Sequence, residues 1–178
     1  MKKIFLLVML ALTICCTAFA SEQQVIDSFK ALIQPKIAEV EATYPPYSLD
    51  RYVIVKDGKK YHKEMVIFTS EYDIKETKSI LNPYIGILKL NRTEMAFKSH
   101  KTVAEAKTEM QPDFINDSVI NISIVYKYTE GSWLFDNAYH YITRRPLEIS
   151  EKMAYDYVKC PDEYKEPNNH EPIIKKIN

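Results

Sequence analysis

The chain has 178 residues, among them 24 Lys and Arg and 24 Asp and Glu, so its formal net charge at pH 7 is +0. This balance gives no electrostatic reason to expect nucleic acid or an anionic membrane surface as a partner. None of its 3 glycines belongs to a G-x-G-x-x-G or Walker pattern. The common nucleotide-binding folds are therefore excluded, and no cofactor is expected.

The N-terminal residues 1–20 have the three parts of a cleavable secretory signal peptide. Two lysines precede an apolar run over residues 4–16, and an A-x-A cleavage site ends at Ala20. The run is shorter than the roughly 20 residues that a membrane-spanning helix needs, so no stable membrane insertion is expected after cleavage. A lipoprotein is not expected, because Cys15 follows Ile14 rather than a small residue. The short dibasic start is typical of bacteria and predicts a secreted or periplasmic protein.

Residues 21–160 are the size of one ordinary domain. Residues 161–178 contain prolines among charges and asparagines, which predicts a mobile tail. Cleavage would remove Cys15 and Cys16 and leave Cys160 as the one remaining thiol. An odd cysteine in an oxidising compartment predicts a monomer with a partly buried thiol, or a dimer linked through Cys160.

The first part of the mature chain has one apolar stripe at helical spacing. It predicts a long helix over residues 22–42, where Pro35 removes a backbone donor and favours a kink or a break. The stripe consists of Val25, Phe29, Leu32, Ile33, Ile37 and Val40.

Short β-rich runs separated by polar turns follow the helix. Thr102 is a suitable N-cap for a short helix up to residue 110, another short helix is predicted over residues 149–158, and Pro146 is expected to end the last strand. One helix followed by about five antiparallel strands predicts an α+β fold, a helix packed on a curled sheet of the cystatin or NTF2 type. The predicted strands are residues 51–56, 60–72, 84–97, 120–128 and 133–142.

The last two strands, joined by a turn at Glu130-Gly131, carry the most distinctive side chains. Strict alternation along the second strand would place its four aromatic rings on one face, stacked against those of the first strand. Such a set is either the core under the helix or an aromatic surface that binds a peptide, a glycan or an apolar ligand. The set is Tyr126, Tyr128, Trp133, Phe135, Tyr139 and Tyr141.

A run of turn-forming residues precedes the third strand. Its hydroxyls can bond neighbouring backbone, so it is predicted to form a structural turn that aims this strand. The alternative is a loop that contacts a ligand at the mouth of the sheet. The residues concerned are Thr77, Ser79, Pro83, Tyr84 and Gly86. Within the third strand, the missing side chain of Gly86 also predicts a bulge or a close contact.

The pattern T-x-S followed by P-Y-x-G, in a region of about residues 64–142, resembles uncharacterised secreted bacterial proteins. The resemblance implies a small exported α+β domain. It implies no known activity and no catalytic residue.

The histidines are scattered singly, without the spacing of a zinc site, so no metal is expected. A serine nucleophile motif is also missing from the sequence. For acid–base chemistry in a concave pocket the available groups are Asp73, Asp136 and His140. Asp136 and His140 lie four residues apart on one predicted strand and would share a face.

These observations predict an exported, non-enzymatic binding domain whose partner is another exported or envelope protein, in the manner of an inhibitor-type module. The alternative is an NTF2-like pocket enzyme or small-molecule carrier that uses the three acid–base residues. Fold-level analogy does not decide between them.

Overall fold

The structure is a computed structural model that describes residues 21–44, 52–113, 118–142, 145–162 and 174–177. The predicted signal peptide lies outside the described residues. None of the helices within the described ranges is long and apolar enough to cross a membrane.

A seven-stranded sheet carries the fold, with strand order β6-β5-β4-β3-β2-β1-β7. Strands β1 to β6 are antiparallel to their neighbours, and β7 is parallel to β1. The elements in chain order are α1 (Glu22–Glu41), β1 (Val53–Asp57), β2 (Lys60–Glu76), β3 (Tyr84–Ala96), α2 (Val103–Thr108), β4 (Ser118–Thr129), β5 (Ser132–Ile142), β6 (Arg145–Ile149), α3 (Glu151–Val158) and β7 (Ile174–Ile177). The predicted α+β class, with a helix packed on an antiparallel sheet, is confirmed.

Helix α1 begins at a capping box, in which the Ser21 hydroxyl accepts from the backbone of Gln24 and the Gln24 side chain accepts from the backbone of Ser21. The helix continues through Pro35 as one element of 20 residues. Of the predicted kink or break at this proline, the break is therefore wrong. Burial of the apolar stripe against the sheet offsets the hydrogen bond that proline removes.

The main core lies between the sheet and the helices α1 and α3. Phe29 of α1 is 0% exposed and lies directly over Gly86 of β3, where an added Cβ would be 2.4 Å from the Phe29 ring. The close contact predicted for Gly86 is therefore found. The buried members of this cluster are Phe29, Ile33, Ile37, Val40, Leu88, Leu90, Ile122, Ile124, Tyr126, Ala138, Ile149, Ala154 and Val158.

Helix α2 lies at one end of the opposite face of the sheet. Thr102 caps it in a second capping box, as predicted. Ala106 of this helix is fully buried, and Lys63 of β2 donates to the carbonyl oxygen of Glu109 just beyond it. The rest of that face is not covered by α2.

Two strands were not expected. Strand β5 ends at Ile142, before the proline that was predicted to stop it, but an unexpected strand β6 follows, in which Pro146 pairs with Tyr141. Because β6 is an edge strand, its proline can sit where no ladder hydrogen bond is needed. At the opposite edge, Ile174–Ile177 pairs with β1, so this part of the predicted mobile tail is a strand.

Candidate functional site

A β-bulge in β5 determines which side chains reach each face of the sheet. Phe135 lies opposite Tyr126, whereas Asn137 lies opposite Val125, so Asp136 is the extra residue. A bulge reverses the alternation of the side chains that follow it. The prediction that all four aromatic rings of β5 share one face is therefore wrong.

The aromatic residues before the bulge lie under the helices. Tyr126 is 1% exposed, and its ring lies 5.7 Å from that of Phe29 in an edge contact. The Trp133 ring lies 4.6 Å from Phe29, and its indole nitrogen donates to the Ser28 hydroxyl at 3.0 Å. Tyr128 packs against Trp133, so this part of the predicted aromatic set is core.

The aromatic residues after the bulge lie on the other side of the sheet, on a surface we call the open face. Tyr141 is 42% exposed and Leu134 is 56% exposed on this face, while Tyr139 is half-buried between them. On β3, β4 and β5 the open face comprises Ile85, Ile87, Lys89, Asn91, Asn121, Ser123, Val125, Lys127, Leu134, Asn137, Tyr139 and Tyr141.

Polar side chains lie between the apolar side chains of the open face. Lys127 forms an ion pair of 2.6 Å with Asp136 at the bulge. The side-chain oxygen of Asn137 is buried and finds no donor within the described part of the chain. Tyrosine rings beside an ion pair and an unsatisfied acceptor are a combination suited to a polar-rimmed protein contact.

The predicted acid–base residues are not brought together. Asp73 forms an exposed ion pair with Lys75 on β2. Asp136 pairs with Lys127 of the open face, whereas His140 is buried on the helix-covered face, where its ring lies 4.9 Å from that of Tyr157. The predicted shared face of Asp136 and His140 is wrong, because the bulge separates them.

His140 lies in a setting that disfavours its charged form. Burial and the nearby Arg92 guanidinium lower its pKa from the usual 6.5. Arg92 itself donates to the carbonyl oxygens of Tyr157 and Lys159 at 2.9 and 3.2 Å, and so caps the C-terminal end of α3. This pair of residues holds α3 on the sheet.

A polar cluster joins α1 to α3 beside the core. The Tyr126 hydroxyl donates to Glu151 at 2.6 Å and lies 3.0 Å from the Tyr155 hydroxyl. Lys36 binds the same carboxylate, with its ammonium 5.4 Å from the centre of the Tyr126 ring. Burial raises the pKa of Tyr155 to about 12 and raises that of Tyr126 further, aided by Glu151. An open cleft of about 310 Å³ lies over the cluster between the two helices.

Thr77, Ser79 and Pro83 of the predicted turn residues lie in a hydrogen-bonded loop over residues 77–83, whereas Tyr84 and Gly86 lie in β3. Thr77 donates to the carbonyl oxygen of Asn82, and the backbone nitrogen of Ser79 donates back to the Thr77 hydroxyl at 3.1 Å. The sequence identified the turn formers. It did not single out Ile80 and Leu81 between them, although two adjacent aliphatic residues in a turn were the available signal.

The remaining thiol, Cys160, is 1% exposed and packs with Val53 and Val55. Its backbone nitrogen donates to the Thr43 hydroxyl at 2.9 Å. A disulfide with a second chain would require this segment to leave its place. Within the described residues, no group of three His, Cys, Asp or Glu side chains could hold a metal ion.

Comparison of the chain with protein families, with curated proteins and with solved structures finds no match in any of the three. The functional argument therefore depends on the geometry of the open face, the cleft and the loop.

Proposed function

We propose that this chain is an exported, non-enzymatic domain that binds another exported or envelope protein through the open face of its sheet. The chain is expected to act after removal of residues 1–20, in a secreted or periplasmic setting. The resemblance to secreted bacterial α+β proteins supports the same setting.

The observation that supports this function is the bulge at Asp136. Without the extra residue, Tyr139 and Tyr141 would share the face of Trp133 under the helices. With it, the two tyrosines join Leu134 on the open face, and bulges in sheets often re-aim side chains for function. Tyrosine combines a large apolar ring with a polar tip, which makes it one of the residues enriched at protein interfaces.

We infer that the finer architecture is of the cystatin type rather than the NTF2 type. A long N-terminal helix lies across one face of a sheet whose first six strands follow one another in sequence. Asp73 and Asp136 lie on the open-face side of the sheet in separate ion pairs, and His140 lies on the covered side, so the three residues expected to form an NTF2-like pocket do not converge. A binding module needs no convergent acid–base groups, so the cystatin type agrees better with this placement.

The experiment that tests the proposal compares two variants in retention of envelope proteins. Tyr141→Ser with Leu134→Ser changes the open face, and Tyr157→Ser changes an equally accessible tyrosine on α3. We expect immobilised wild-type protein and the α3 variant to retain the same partner, and the open-face variant to lose it. Equal retention by all three proteins would refute the proposed surface.

A small-molecule carrier is the second candidate, and the cleft between α1 and α3 is the observation in its favour. Its volume of about 310 Å³ is near the lower end of ligand pockets. Lys36, Glu151 and Tyr155 would supply a cation, an acceptor and a hydroxyl for a small polar ligand. A thermal-shift screen of polar metabolites should then find a compound that stabilises wild type and not Tyr155→Phe.

A further inference from the structure

The loop between β2 and β3 presents two adjacent aliphatic side chains to solvent, which we call the apolar tip. Ile80 is 97% exposed and Leu81 is 76% exposed. No other exposed large apolar residue in the described part of the chain reaches these fractions. Single exposed aliphatic side chains are common on protein surfaces and need no explanation. Two adjacent aliphatic side chains that are both mostly exposed on an ordered loop do need one.

Hydrogen bonds within the loop hold the apolar tip in place. The backbone nitrogen of Thr77 donates to Pro83 at 2.7 Å, and that of Asn82 donates to the Ser79 hydroxyl at 3.2 Å. Together with the two bonds of the Thr77 hydroxyl, these contacts close the loop on itself. A loop that is already ordered loses little conformational entropy when it binds.

The loop is also fixed to the neighbouring hairpin. The Thr129 hydroxyl donates to the Asn82 side chain, which joins the tip to the β4–β5 turn. In that turn Glu130 has a φ of 50°, a left-handed conformation that glutamate adopts at a cost. Beneath the two turns the rings of Tyr84 and Tyr128 meet edge to face, 6.1 Å apart. These contacts fix the position of the apolar tip relative to the β4–β5 turn.

We propose that the apolar tip inserts into an apolar pocket of the protein that the open face binds. The inference deepens the proposed function and depends on it, because it names the second contact and the chemistry of the partner. The partner needs a pocket large enough for an isoleucine and a leucine, and its rim must be polar where the charged residues around the tip meet it.

The charges around the tip favour a protein pocket over a lipid surface. Lys75 and Lys78 are matched in number by Glu76 and Glu130, so anionic lipids gain no net attraction. Residues 77–83 include no Trp or Tyr, and the ring of the next residue, Tyr84, packs against Tyr128 rather than extending as an anchor for a membrane interface. Stable attachment of a protein to a membrane takes two signals, such as an apolar anchor together with a basic patch, and the apolar tip would supply only the first.

Site-specific photocrosslinking in the full chain, expressed in its own cells, tests the proposal. A benzophenone amino acid replaces Leu81, and position 80 is varied beside it. We expect an adduct with one exported protein, mapped to apolar residues of that protein. The yield should fall about tenfold with Ile80→Ser and be retained with Ile80→Met, since only the first removes the apolar side chain. The same amino acid at Leu147, which is 50% exposed on the edge strand, is the control and should give no adduct with that protein.

The outcomes separate this inference from the proposed function. If the photoreactive amino acid gave an adduct at position 141 but not at position 81, the proposed role of the apolar tip would be refuted and the open face would remain supported as a binding surface. Adducts at neither position would overturn both. Adducts of the tip with lipid, or a yield that Ile80→Ser does not change, would overturn the protein pocket. Thermal unfolding of Ile80→Ser should match wild type, because the replaced side chain is almost fully exposed.

Discussion

The two faces of the sheet are formed by the same strands but differ in how deeply their aromatic side chains are buried. On the face under α1 and α3, Tyr126 is 1% exposed and its hydroxyl is bonded to Glu151. On the open face, Tyr141 is 42% exposed. One extra residue in β5 separates the two environments, so the bulge, rather than composition, decides which aromatics stabilise the fold and which are available to a partner.

Removing Phe29 should produce the largest loss of stability. Its ring contacts Tyr72, Tyr126 and Trp133 at the centre of the covered face. We expect Phe29→Ala to lower the free energy of unfolding by about 3–5 kcal/mol, measured in urea. Phe135→Ala is the control, because that ring is on the same face but 39% exposed, and its loss should be clearly smaller. Equal losses would contradict the central position of Phe29 in the core.

A second prediction concerns the contact of the helix with the sheet. Gly86→Ala should lower the free energy of unfolding by about 1–3 kcal/mol, because the new Cβ would clash with the Phe29 ring. In the Phe29→Ala background most of this cost should vanish, which a double-mutant cycle measures. Gly58→Ala is the matched control: its φ is +57° but nothing lies within 4 Å of an added Cβ, so its cost should not depend on residue 29.

The third prediction is a pH dependence that comes from the covered face. Burial and Arg92 lower the pKa of His140, so the unfolded chain binds a proton near pH 6.5 that the folded chain does not. The stabilisation is complete above the unfolded pKa and is lost as pH falls through the lower, folded pKa. We expect the difference in unfolding free energy between wild type and His140→Gln to change between pH 7 and pH 5. A constant difference would contradict the assigned environment of His140.

The sequence predicted the parts of this fold that depend on local patterns. The apolar stripe of α1, the cap at Thr102 and the close contact at Gly86 each follow from a side chain and its near neighbours. The break that was an alternative at Pro35 does not occur, because tertiary burial of the stripe outweighs the local cost of the proline. Helix propensity is a weak guide when a whole face is buried.

The parts that were missed depend on pairing between distant residues. No glycine or proline marks the bulge at Asp136, and the two consecutive polar residues Asp136 and Asn137, which interrupt the apolar alternation there, do not by themselves specify an extra residue. Only the register with β4 reveals the extra residue. Strand β7 depends on the free edge of β1 in the same way, and Pro146 is acceptable only because β6 is at an edge.

The smallest effect on stability is expected on the open face. Tyr141→Ser removes a ring that is 42% exposed, so the free energy of unfolding should change by only about 0.5 kcal/mol. Tyr157→Ser removes a ring of similar exposure that packs on His140 beneath α3, and it should cost more. Urea unfolding of the two variants measures this difference directly. If Tyr141 proved the costlier residue, its ring would belong to the core, and the bulge would serve packing rather than recognition.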